Sequence, residues 1–226
     1  MTEEEWRIAT DPTPMLEATG TPVNKRKERL FAVACARRAL ELVADENCRA
    51  AVDVAEQYAD ALAGQRALAR VRRRSYEISR DPTAVGGPRY AINAHAAAIA
   101  LYVSSGPDKY EANELARITA GTSSALFWHV HKGTADTEEM VIQARLLRDL
   151  LGNPFRPVTI DPAWRTSTVL ALADGIYQEK AFDRMPILAD ALQDAGCDNE
   201  AMLDHCRSEE PHVRGCWVVD LLLGKS

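Results

Sequence analysis

A chain of 226 residues with 46% apolar composition can bury a real core, enough for one generous domain or two small ones, and is not disordered as a whole. A formal charge of -6 and a pI near 5.5 argue against a general binder of nucleic acid or anionic membrane, which would carry a basic excess. Five cysteines, with an acidic start at Met1 to Trp6 that leads into no apolar leader segment, predict reduced thiols in a cytoplasm and no disulfide framework.

Thr2 followed three residues later by Glu5 predicts a capping box and a short first helix, and the prolines of residues 11–22 predict an irregular connection after it. From Asn24 to Val43, Phe31, Cys35, Ala39 and Leu42 recur at helical spacing, and from Asp45 to Ala63 the same holds for Cys48, Ala51, Ala55, Tyr58 and Leu62. Cys35 and Cys48 therefore read as small core residues. Gly64 ends that helix, and Gln65 to Arg80 forms another with Arg66, Arg70, Arg73 and Arg74 on one side. Such a stripe could hold phosphates, but no aromatic residues interleave with it and the protein around it is acidic, so a solvated or salt-bridged surface is expected.

Asp81-Pro82 and Gly86-Gly87-Pro88 predict an exposed loop, and Tyr90 to Val103 an alanine-rich helix stopped by Ser104 to Pro107. The run from Ala91 to Val103 is broken by Asn93 and His95 and is too short to cross a bilayer. His95 reads as a structural histidine. Asp108 to about Lys132 continues as helix with a kink expected at Gly121 to Ser124. His129 and His131, two apart near its end, point in nearly opposite directions and cannot share a metal.

Thr134 to Leu151 is expected to start on Thr134 or Asp136 as cap and to bury Met140, Ala144, Leu147 and Leu151, ending at Gly152. The prolines of Asn153 to Ile160 deny helix and mark a subdomain junction, after which Asp161-Pro162 caps a helix over Ala163 to Lys180. Asp183 is expected to cap the next, with Ile187, Leu188, Ala191, Leu192 and Ala195, closed by Gly196. Asp198 then caps a short helix to His205 or Cys206, and His212 to Leu223, apolar nearly all round, reads as a buried final helix.

That last stretch concentrates the chemistry. Cys197, His205, Cys206, His212 and Cys216 fall in a Cys-x7-His-Cys-x5-His-x3-Cys pattern, a donor set suited to zinc, though not the paired CxxC knuckles of a zinc ribbon. If the end is helical from Pro211, His212 and Cys216 share one face and chelate one ion, with Asp220 as a supporting partner. The favoured reading, however, has the cysteines as small buried core residues and the histidines capping or bridging turns. A catalytic version makes Cys216 a nucleophile beside His212 with Gly215 backbone amides as oxyanion donors, but no orienting third group stands out. No Walker loop, GxGxxG, HExxH or GxSxG occurs.

Two regions carry a likeness: Met1-Thr2-Glu3-Glu4-Glu5-Trp6 with Asp11-Pro12-Thr13-Pro14-Met15-Leu16, and the end from Gly152-Asn153-Pro154-Phe155-Arg156-Pro157 through Phe182 to Leu192 and His212-Val213-Arg214-Gly215-Cys216-Trp217-Val218-Val219-Asp220. Together they resemble a family of uncharacterised bacterial proteins common in planctomycetes. The resemblance implies no activity, cofactor or catalytic residue. Where that family often has a glycine- and proline-rich turn before the histidine, this chain has Ser208-Glu209-Glu210-Pro211.

The expectation is an all-α multi-helix bundle of about eight to ten helices with an irregular proline-containing loop near 152–162. A helical N-terminal part (1–151) and C-terminal part (152–226) are expected to pack as one globular domain. The expected role is a non-catalytic cytoplasmic interaction or adaptor protein with a protein partner, no nucleic acid and no membrane. The alternative is a metalloprotein or metal-dependent enzyme using the C-terminal cluster, with zinc as its candidate ion.

Overall fold

The chain begins as its first residues predict. Helix α1 (Glu3–Ile8) is closed by a reciprocal capping box: the Thr2 hydroxyl accepts the Glu5 N–H at 3.2 Å, and the Glu5 carboxylate accepts the Thr2 N–H at 2.7 Å. The computed structural model describes residues 1–18, 23–43, 45–79, 88–106, 109, 113–131 and 136–225. Among them there are twelve α-helices and no strand, so the protein is all-α. The loop expected at Asp81 to Gly87 and the Thr134 cap lie outside the described residues. No helix among those described is long and apolar enough to cross a membrane.

The chain divides into two compact units, Met1–Ala144 and Arg145–Ser226. The division falls inside a helix, α8 (Asp136–Leu151), and not in the proline-rich segment after it.

In the first unit, residues 12–18 are not the irregular connection their prolines suggest but a helix, α2 (Pro12–Ala18), which buries Met15 and Leu16. The physical reason is position: Pro12 and Pro14 fall in the first turn, where a helix has no use for their missing N–H groups. Helix α3 (Lys25–Glu41), capped by Asn24, packs on α4 (Glu46–Ala59), α6 (Pro88–Val103) and α7 (Glu114–Val130). Having partners on several sides, it buries Leu30, Val33 and Leu40 as well as the expected Phe31, Cys35 and Ala39. Helix α4 stops at Ala59, so Leu62, expected on its stripe, is 66% exposed. Helix α5 (Gln65–Ser79) packs on α4 and α6 and keeps Arg66, Arg70, Arg73 and Arg74 exposed. At the end of α6 the Ser104 and Ser105 hydroxyls donate back to the carbonyls of Ala100 (2.6 Å) and Leu101 (2.8 Å), which satisfies the last turn.

Helix α7 begins at Glu114, after Asn113, which takes a left-handed conformation (φ 61°). Its side chain is used elsewhere, accepting the Val23 N–H (3.1 Å) and donating to the Leu16 carbonyl (2.7 Å). Helical backbone continues through Gly121 to Ser124, where Thr122 donates to the Ile118 carbonyl at 2.7 Å. His129 and His131 are both exposed, and the His95 ring lies 4.9 Å from that of His129.

In the second unit, Asp161 caps a single 3-10 turn (Pro162–Trp164), and α9 (Ser167–Glu179) starts afresh on Thr166, whose hydroxyl accepts the Val169 N–H at 3.3 Å. A second 3-10 turn (Phe182–Arg184) absorbs Asp183, so α10 (Met185–Asp194) has no side-chain cap, and Ile187 is 54% exposed. Gly196 closes α10 as expected: at φ 85° its N–H reaches the Gln193 carbonyl (2.9 Å) and the Cys197 N–H that of Leu192 (2.9 Å), the paired bonds of a Schellman motif. Asn199, not Asp198, caps α11 (Glu200–Arg207). The final helix, α12 (Trp217–Leu223), is shorter than expected, because residues 208–216 form an irregular turn. Val169, Ile176, Tyr177, Met185, Leu188, Leu192 and Met202 form this unit's core with Val218, Val219 and Leu222.

Candidate metal centre

Four side chains from three separate pieces of the second unit converge on one point: Asp149 from the last turn of α8, His205 from α11, and His212 and Cys216 from the turn before α12. One donor atom from each lies within 4.8 Å of every other. Asp149 Oδ1 is 2.7 Å from His212 Nδ1 and 3.2 Å from His205 Nε2, and the same Nε2 is 3.2 Å from Cys216 Sγ.

Local structure explains how each donor is held. The Asn199 cap accepts the Met202 N–H at 3.0 Å and fixes the start of α11, so that His205 points from its third-last position. The Cys216 N–H closes a turn onto the Val213 carbonyl at 2.9 Å, and Gly215 at φ 94° supplies the left-handed residue that this turn needs. That turn carries His212 and Cys216 back to one side, while the Val213 N–H donates to the other Asp149 oxygen at 2.9 Å. Gly152 at φ 65° ends α8, with the Trp217 ring packed close to it and 5.3 Å from the His205 ring.

The cluster is dry. The Asp149 side chain is 3% exposed and that of His212 5%, and Cys216 is wholly buried. Burial pushes the Asp149 carboxyl up, but hydrogen bonds and charge from His205 and His212 outweigh it and hold the carboxyl below its ordinary value. Burial, reinforced by the nearby Asp149 charge, drives the Cys216 thiol well above its ordinary value. His212 Nε2 is buried without a hydrogen-bond partner in the structure.

Of the five residues singled out in the sequence, three belong to the converging group. Cys197 and Cys206 do not; both lie in the core among apolar residues, and burial pushes the Cys206 thiol up to about 12. Asp220, expected to support the site, is buried on α12 and is not one of the four donors. The route also differs, since His212 and Cys216 meet through a turn and not along a helical face. Periodicity does not point to Asp149, because on α8 it lies about 180° from the apolar stripe through Met140, Ala144 and Leu147. Its signal was position: a carboxylate in a last helical turn opposes the macrodipole and needs a compensating partner.

As a nucleophile Cys216 is poorly placed. It is sealed from solvent, its thiol is held protonated, and its neighbour is His205, not His212. A thiol–imidazole–carboxylate relay uses the two different ring nitrogens, whereas here one nitrogen of His205 faces both thiol and carboxylate. Four donors this close together could hold a metal ion.

A tetrahedral zinc ion bound at about 2.0–2.3 Å sets its donors about 3.3–3.8 Å apart, so the pairs at 2.7 and 3.2 Å need to open by less than about 1 Å, and any pair near the 4.8 Å limit to close by about 1 Å. One carboxylate and one thiolate would cancel the charge of a divalent ion, leaving two neutral imidazoles and no net buried charge. Mixed oxygen, nitrogen and sulfur donors fit borderline-soft zinc and not magnesium or calcium. Comparison with protein-family models, with curated proteins and with solved structures finds no match, so the site is read from its own chemistry.

Proposed function

We infer that this chain is a non-catalytic helical protein of the cytoplasm whose second unit is clamped by a structural zinc ion bound through Asp149, His205, His212 and Cys216. The observation that carries the reading is the meeting of four zinc-type donors, within 4.8 Å of one another, from three separate chain segments. Structural zinc takes four protein ligands, whereas catalytic zinc keeps a position open for water or substrate. Four protein donors, two of them buried and two half-buried, fit the first kind. The zinc ties the end of α8 to α11 and to the turn before α12, pieces that a small core would otherwise hold alone. A thiolate ligand needs a reducing compartment, consistent with five free cysteines among the described residues.

Elemental analysis of protein prepared without a histidine tag tests this. About one zinc per chain is expected, lost in Cys216→Ser and in Asp149→Asn but retained in Cys206→Ser. Cobalt substitution should give a thiolate charge-transfer band that Cys216→Ser abolishes. Metal-free protein from zinc-replete cells would sink the reading.

A further inference from the structure

We propose that the groove between α5 and α6 is the docking site for an acidic amphipathic helix of a partner protein. The groove has a volume of about 780 Å³. Its floor is aliphatic, from Leu68 and Ala69 on α5 and Ala98 and Leu101 on α6, with Tyr76 and Tyr102 as aromatic walls. Tyr76 is 49% exposed, so about half of its surface is open to a partner.

Shape selects a helix. Gln65, Leu68, Ala69, Arg72 and Tyr76 recur along one face of α5, and from Gln65 to Tyr76 the axis rises about 16 Å, three turns of an incoming helix. A trough between two parallel ridges of side chains is what a third helix packs into, with anchors at i, i+3 or i+4 and i+7. No sheet edge exists among the described residues to recruit an extended strand.

Charge selects an acidic one. Among the described residues lining the groove there are three cations, Arg72, Arg73 and Lys109, and no carboxylate. Helix α5 carries five arginines against Glu77 in a chain whose net charge is -6, and two of them, Arg72 and Arg73, line the groove. Glu77 meets Arg73 and Arg74 at 3.7 and 3.3 Å on the surface, pairs weak enough to exchange for a partner's carboxylates. The aliphatic floor favours such a helix over a nucleic acid, whose backbone would find phosphate contacts only at the rim, against an acidic protein.

The test uses the full chain in zinc-containing buffer, panned against a random peptide library displayed on phage. Enrichment of peptides with apolar residues at helical spacing flanked by Asp and Glu is expected. The synthetic consensus peptide should bind the double variant R72E/R73E at least about tenfold more weakly, with binding recovered when its acids are replaced by lysine. Tyr76→Ala should weaken it similarly, with circular dichroism unchanged because the side chain is half exposed. No enrichment, a basic consensus, or affinity indifferent to R72E/R73E overturns the proposal. So does single-stranded RNA binding with a steep salt dependence and displacing the peptide, which would make the groove a nucleic-acid surface.

Discussion

Asp149 shows how much one residue can depend on its surroundings. It accepts contacts from His205, His212 and the Val213 backbone, which hold its buried charge where an unpaired carboxylate would cost several kcal/mol. Beside it, Gly152 makes a sharper prediction. At φ 65° any other residue is strained, and a Cβ there would meet Trp217 ring carbons at 3.1–3.4 Å. Gly196 has a similar φ of 85° but open space where its Cβ would go. Gly152→Ala should therefore cost about 2–3 kcal/mol and Gly196→Ala only about 1. Urea unfolding followed by tryptophan fluorescence gives the ranking, and equal costs would mean that Trp217 is not fixed against Gly152.

At the scale of elements, the junction of α3 and α7 is stabilised by an exchange of roles. Asn113 spends its side chain on Leu16 and Val23, so the Leu115 N–H of α7 is taken instead by Glu28 of α3 at 3.1 Å. Burial pushes the Glu28 carboxyl above its ordinary 4.5, although Lys25 and the α7 amides pull the other way. The folded protein thus holds that proton more tightly than the unfolded chain. As pH rises from about 4.5 through the raised folded value, stability falls. Glu28→Gln keeps an acceptor and removes the proton, so stability against pH should be flatter in the variant, with the wild type losing ground as pH increases. Parallel slopes in urea titrations across that range would contradict this.

At the scale of the whole molecule, two units with separate cores differ in what holds them. The first has a long helix, α3, wrapped by partners, while the second is built from shorter helices joined by turns and, in our reading, a zinc ion. Chelation should therefore raise amide exchange in α11, α12 and the turn at 208–216 while leaving α3, α4 and α7 protected, read by hydrogen–deuterium exchange mass spectrometry. Exchange rising equally in both units would place the ion's influence elsewhere.

The sequence by itself determined the helical class, the capping box at Thr2, the Schellman closure at Gly196 and the core cysteines, because periodicity and end signals act within a few residues. It misjudged Pro12 to Ala18, Asp183 and the start of α12, where an alternative local signal competed with the same pattern. It also picked out the end of the chain as the place with metal-type donors. Only the tertiary structure decided which of those donors meet. Cys197 and Cys206 go to the core, Asp149 arrives from a helix more than fifty positions upstream, and a glycine turn, not a helical face, aligns His212 with Cys216. Ligation needs donor atoms within a few ångströms in space, and distance along the chain carries no information about that until the elements have packed.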